Sequence, residues 1–195
     1  EMYVIGLTGN IATGKSTVAK MLTQLGACVL DADVMAHELI RAGSPLHRQI
    51  VARFGRRVVA ADGEIDRAAL GAIVFADAAA LRELEAIVHP SVIEETKRRL
   101  RNCKADVCVI EAIKLLEAGM DALCDAIWVV TSTRQQQLQR LMRDRHLSPE
   151  EAERRIAAQP AAALKIARAD LVIDNSGPLE ATWQQVAGAW EAIRA

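Results

Sequence analysis

Eight consecutive residues carry the densest chemistry in this chain. Gly9-Asn10-Ile11-Ala12-Thr13-Gly14-Lys15-Ser16 matches G-x-x-x-x-G-K-[ST] at every fixed position, and Thr17 follows in the same turn. A loop of this kind points successive backbone N–H groups inward and ends on a helix N-terminus, whose dipole adds positive character. The ligand that suits such a cradle is a chain of phosphates. Lys15 is placed to bridge the β- and γ-phosphates of ATP and the Ser16 hydroxyl to ligate Mg2+. Both neutralise charge that moves during phosphoryl transfer.

The loop alone does not separate kinases from nucleotide-driven switches, so the rest of the chemistry decides. An N-K-x-D base-reading motif, expected of a GTP switch, is absent, since Asp174-Asn175-Ser176-Gly177 lacks the lysine. Asp31 and Asp33 sit two residues apart at the tip of a short apolar run. If the extended backbone continues to Asp33, the two share one face. One carboxylate is then positioned to accept the proton of an attacking hydroxyl. The competing reading makes Asp33 a helix cap. Glu111 ends a third apolar run, where an acidic residue suits the water shell of Mg2+. Lys114 and Glu117 follow, and their plain reading is a surface salt bridge. Arg140 and Arg143 share a helix face three residues apart. On a mobile flap such arginines close over ATP; otherwise they belong to a solvated charged face.

These groups need a scaffold that presents loops at one edge. Five short runs rich in β-branched residues stand out: Tyr3 to Leu7, Cys28 to Leu30, Val107 to Ile110, Ala126 to Val130 and Leu171 to Ile173. Helical patterns separate them, which predicts an α/β fold with a five-stranded parallel sheet and helices on both faces. Val18, Ala19, Leu22 and Leu25 carry the helix after the phosphate loop, and Gly26 stops it. Residues 34–103 show helical patterns without a buried strand and are expected to form a helical insertion. Pro45 and Pro90 both read as helix starts, with Pro90 at a first helical position. Residues 134–167 form a second helical region. Within it, Ser148 and Glu151 make a capping box for a helix beginning near Pro149. Leu179 to Ile193 closes the chain as an amphipathic helix whose Trp183 and Trp190 pack on the sheet.

The nucleotide-binding core is therefore assigned to about 1–33, 104–133 and 168–195, within a single domain. Among 195 residues, 24 basic and 25 acidic side chains leave a net charge of −1, which forecasts neither nucleic-acid nor anionic-membrane binding. No apolar run approaches the roughly 18 residues that span a bilayer. Cys28, Cys103, Cys108 and Cys124 form no C-x-x-C pair and read as idle thiols of a reducing cytoplasm. Oligomeric state has no signal in the sequence.

The ordered set of later motifs resembles dephospho-coenzyme A kinases over almost the whole chain. Ile5-Gly6-Leu7-Thr8-Gly9 leads into the phosphate loop, followed by Asp31-Ala32-Asp33 with His37, then Asp66-Arg67 with Leu70. Val74-Phe75, Leu84-Glu85, His89-Pro90 and Leu115-Leu116-Glu117 come next. Arg140-Leu141-Met142-Arg143-Asp144, Ala169-Asp170, Asp174-Asn175 and Gly177 complete the series. The resemblance implies that ATP phosphorylates the ribose 3′-hydroxyl of dephospho-coenzyme A, a small-molecule substrate. It implies that residues 34–103 bind substrate and 134–167 act as a lid. It makes Asp33 the catalytic base and brings Arg140 to the ATP phosphates, with Asn175 and Gly177 bordering the adenine. Thr8, Arg67, His89 and Glu117 fall in the substrate region. Asn10 and Ala12 depart from the glycine-richer loops of many members. Asn tolerates positive φ and Ala is small, so the loop is expected to close. A shikimate kinase would need a Gly-Gly-Gly stretch and an adenylate-type kinase a D-G-F-P-R-like motif; neither is present.

Overall fold

The computed structural model describes residues 2–195, which divide into two compact units, one formed by residues 2–31 with 103–195 and the other by 32–102. The first unit is built on five strands: β1 (Tyr3–Thr8), β2 (Cys28–Asp31), β3 (Val107–Glu111), β4 (Ala126–Thr131) and β5 (Leu171–Asp174). All pair in parallel in the order β2-β3-β1-β4-β5. The strand order reverses at β1, which lies between β3 and β4. In such a sheet, ligands collect beyond the carboxyl ends of the strands at that switch point. The phosphate loop follows β1 directly.

Alternation along the strands explains the core. Ile5, Leu7, Val107, Val109, Ala126, Trp128 and Val130 face α1 (Lys15–Leu25) and the terminal helix, which contributes Val186 and Trp190 to the same cluster, with Trp183 packed against it. The intervening residues Val4, Cys108, Ile110, Ile127 and Val129 are buried as well, as both-face burial of central parallel strands requires. Two aspartates finish the amino edge of the sheet: Asp125 accepts from the Val4 N–H and Asp170 from the Ile127 N–H, each at 2.7 Å. Asp170 of the Ala169-Asp170 motif thus has a structural function.

The second unit holds α2 (Ala32–Leu39), α3 (Pro45–Phe54), a short 3-10 turn at Arg56–Val58, α4 (Arg67–Ala76) and α5 (Ala78–Asn102). Ile50, Phe54, Val58, Ile65, Leu70 and Ala80 form its core. Pro45 opens α3, as expected, and Ser44 caps it. Pro90 instead lies inside the 25-residue α5. Packing of α5 on α2, α3 and α4 offsets the missing N–H.

The remaining helices belong to the first unit. They are α6 (Arg134–Arg145), α7 (Pro149–Ala157), α8 (Ala162–Ile166) and α9 (Leu179–Arg194). Ser148 and Glu151 form the expected capping box of α7, and Thr133 and Gln136 form another on α6.

Candidate active site

The phosphate loop closes with its strain at one residue. Ala12 takes the left-handed conformation, φ 58°, while Asn10 is not among the positive-φ residues. Of the two residues that depart from a glycine-richer loop, Ala12 and not Asn10 takes the positive φ, at a cost of about 1–2 kcal/mol for a residue with a Cβ. Gly14 has φ 94° and precedes α1 without any side-chain cap, and no acidic residue occupies that first turn. A phosphate approaching this end meets no acidic side chain of α1's first turn and faces the positive end of the dipole. A Cβ on Gly14 would lie 2.0 Å from Asn175 Nδ2, and one on Gly9 2.6 Å from the Val130 carbonyl oxygen. Only glycine fits at either position.

Neighbouring elements fix the loop from three sides. Buried Asn175, just past β5, donates from Nδ2 to the Thr13 carbonyl at 2.9 Å and accepts at Oδ1 from Thr182 Oγ1 at 2.8 Å. Gln137 of α6 donates to the Ile11 carbonyl at 2.8 Å, and the Ile11 N–H donates to Gln159 Oε1 at 2.6 Å. Asn10 Nδ2 reaches the Pro160 carbonyl at 3.0 Å. Thr13, itself buried, donates from Oγ1 to the Asn10 carbonyl at 2.9 Å. Ile11 packs with Leu141 and Ala152, so the region spanning α6 and α7 rests on the loop through an apolar contact as well.

Charged groups converge on the same place. Lys15 Nζ stands 3.4 Å from Glu111 Oε1, with both side chains largely buried. Asp31 is the in-register neighbour of Glu111, so β2 and β3 end side by side in carboxylates. Arg140 donates from Nη1 to the Ala12 carbonyl at 3.0 Å and from Nη2 to the Asn175 carbonyl at 3.3 Å. Arg143 is exposed and pairs with Asp144 at 2.6 Å, so the shared helix face does not give the two arginines one environment. Ser16 is exposed at the start of α1, and the Thr17 N–H is already taken by the Gly14 carbonyl at 3.1 Å. Gly177 is exposed in the turn after β5.

Other expected residues stand elsewhere. Strand β2 stops at Asp31 and α2 begins at Ala32, so Asp33 is an exposed first-turn helical residue and the shared-face condition is not met. Thr8 is fully buried, and its hydroxyl donates to the Ile113 carbonyl at 3.0 Å. That side chain holds the segment after β3 and is not available to a substrate, which corrects the expectation. Glu117 is engaged by Lys165, whose Nζ lies 3.0 Å from Oε1 and also donates to the Ile113 carbonyl at 2.7 Å.

Lys165 is 3% exposed, a buried cation satisfied by one carboxylate and one carbonyl. It escaped sequence reasoning, as did Gln137, Gln159 and Thr182. A buried lysine or glutamine reads like any surface one until the fold encloses it.

In the helical unit, Arg67 is the first residue of α4, directly behind Asp66, whose carboxylate caps the Ala68 and Ala69 N–H groups. His37, Ile40, Arg41, Glu64, Ile65 and Arg67 line a cavity of about 380 Å³. His89 is partly buried within α5, one residue before Pro90.

Comparison with known proteins agrees with this arrangement. The family model for dephospho-CoA kinase matches residues 3–181. A dephospho-CoA kinase of Moorella thermoacetica is 45% identical over 197 residues, covering 99% of this chain and 93% of the relative. That of Symbiobacterium thermophilum is 48% identical over 194 residues, covering 98% of this chain and 81% of the relative. Among solved structures, TT1252 from Thermus thermophilus superposes with TM-score 0.88 at 32% identity, over 100% of this chain and 99% of its own. A shikimate kinase from Acinetobacter baumannii shares the fold alone, with TM-score 0.58 at 15% identity over 98% of this chain and 93% of its own.

Proposed function

We infer the division of labour among these residues from one premise: the chain belongs to the dephospho-CoA kinase family. It transfers the γ-phosphoryl of ATP to the ribose 3′-hydroxyl of dephospho-coenzyme A, giving coenzyme A and ADP, the final step of coenzyme A biosynthesis. The observation that carries the reading into this chain's own atoms is the uncapped N-terminus of α1 beneath a glycine loop, with Lys15 held at Glu111. The 3′-oxygen attacks the γ-phosphorus, the bond to the β–γ bridging oxygen breaks, and the hydroxyl proton leaves to a base.

Asp33 is that base in our reading. Its exposed carboxylate follows β2 by two residues, at the carboxyl end of the strand, where ligands gather in this fold. On ATP binding, Lys15 exchanges Glu111 for the β- and γ-phosphates, and Arg140 turns its guanidinium from backbone carbonyls to phosphate oxygens. Residues 134–167 serve as the lid, and Asn175 and Gly177 flank the base of the nucleotide. Ser16, Asp31 and Glu111 offer only oxygen donors, which fits Mg2+ and not a softer ion. Bound there, Mg2+ supplies charge neutralisation on the β- and γ-phosphates. The helical unit binds the acceptor: Arg41, Arg67 and His37, beside Glu64, line a cavity suited to a pyrophosphate-bearing substrate, and His89 serves the same substrate. Among the described residues no helix is long and apolar enough to cross a membrane. Four free cysteines suit a reducing compartment, and we place the enzyme in the cytoplasm.

ADP release measured with Mg-ATP and, separately, dephospho-coenzyme A, shikimate or AMP tests the reading. Release stimulated by dephospho-coenzyme A alone, with coenzyme A identified by mass spectrometry, is expected. Equal slow release with every acceptor would reduce the protein to a nucleotide hydrolase.

A further inference from the structure

Three of the four cysteines meet at the sheet edge opposite the phosphate loop. Cys28 opens β2 and is the in-register neighbour of Cys108 on β3. Ala27, Val29, Val107 and Val109 all belong to or pack on the tryptophan-containing core, so alternation turns Cys28 and Cys108 together to the other face. Cys103 follows α5 directly. The sulfur atoms of Cys28, Cys103 and Cys108 all lie within 4.8 Å of one another. Cys108 is buried, whereas Cys28 and Cys103 are partly exposed. The cluster therefore has a closed floor and a rim that solvent reaches.

We propose that Cys28, Cys103 and Cys108 form a three-thiolate site for a thiophilic d10 cation of the Zn2+ class, with an exogenous ligand in the fourth position. Three thiolates around Zn2+ at about 2.3 Å place their sulfurs roughly 3.8 Å apart in tetrahedral geometry. That spacing falls inside the observed limit, so small side-chain rotations complete the site without moving the strands. The cluster contains sulfur alone, which selects Zn2+ or Cu+ over Mg2+ or Ca2+. The Ala105 N–H donates to Cys103 Sγ at 3.5 Å and orients it, as outer-shell donors do for metal ligands. Binding exchanges three thiol protons for one divalent ion, and no electron is transferred.

Cobalt is the probe, because a thiolate-to-Co2+ charge-transfer band reports sulfur ligation directly. The full-length reduced protein, stripped of metal, is titrated with Co2+ and then with Zn2+. Wild type and Cys124→Ser should each show a charge-transfer band saturating at one ion per chain, abolished by one equivalent of Zn2+. Cys103→Ser and Cys28→Ser should lose the stoichiometric band while retaining kinase turnover, which shows that they are folded. Zn2+ should raise the melting temperature of wild type and leave that of Cys103→Ser unchanged. A wild type without the band, a band that survives in Cys103→Ser, or one lost equally in Cys124→Ser would each overturn the assignment.

Discussion

The side-chain amide of Asn175 donates to the Thr13 carbonyl at 2.9 Å while its oxygen accepts from Thr182 at 2.8 Å, so one buried group ties the phosphate loop to β5 and α9. Gly14 is the residue that this contact leaves no room to change, since a Cβ there would strike the same amide. Loop shape in this enzyme is thus set by residues about 160 positions downstream as much as by its own glycines.

Asn175→Ala should remove both bonds and leave a buried carbonyl and hydroxyl unpaired. The expected loss is about 1–3 kcal/mol of stability, the cost of unsatisfied buried polar groups. Because the loop itself loosens, KM for ATP should rise more than kcat falls. Thermal unfolding and steady-state kinetics on one preparation check the pair. An unchanged KM for ATP would show that the loop holds its shape without Asn175.

Arg140 donates to the carbonyls of Ala12 and Asn175 and is only partly buried. Arg140→Ala should therefore cost at most about 1.5 kcal/mol of stability. Turnover should fall by ~10²-fold, the scale of one lost charge-stabilising donor. Arg140→Lys should recover part of that loss, because charge returns without the planar fork. An early melt with near-normal turnover in surviving protein would make the arginine structural.

Much of this was legible. The phosphate loop, the five strands and the α7 capping box are local patterns, and each appears where periodicity and spacing place it. What escaped depends on distant pairing. Lys165 has an ordinary sequence environment, and only the fold brings it to Ile113 and Glu117. Cys103 and Cys108 keep a C-x4-C spacing, but Cys28 lies far upstream and reaches them only through strand register. Pro90 misled because a proline that opens a helix and one tolerated inside a long packed helix look identical locally. For Asp33 the residues leave both an extended strand tip and a helix cap open; β2 ends two residues earlier at Asp31, and Asp33 lies in the first turn of α2.

Asp33 makes a direct kinetic prediction. Asp33→Asn keeps the size of the side chain in an exposed first turn and removes only charge and basicity. Stability should fall by about 0.3–1 kcal/mol, the worth of an anion at a helix N-terminus. ATP affinity should be retained and kcat should drop ~10²-fold or more, as for loss of a general base. Nucleotide binding by calorimetry and turnover with dephospho-coenzyme A separate the two effects. Undiminished turnover would remove Asp33 from the role.

Glu95 predicts how the helical unit responds to acid. The guanidinium groups of Arg98 and Arg99 hydrogen-bond its carboxylate, at 2.7 Å each, and hold its pKa down to about 2. Arg99 also reaches Glu38 at 2.5 Å, which links α5 to α2. A carboxyl group with a depressed folded pKa binds its proton more readily when unfolded. Its stabilisation is therefore complete above the unfolded value near 4.5 and is lost as pH falls toward about 2. Glu95→Gln should lower the melting temperature at pH 7, and the gap to wild type should close between pH 4.5 and 2. Other carboxylates titrate in the same window, so the difference between the two proteins is the quantity to follow. A gap that stays constant down to pH 2 would mean that Glu95 contributes by packing and not by charge.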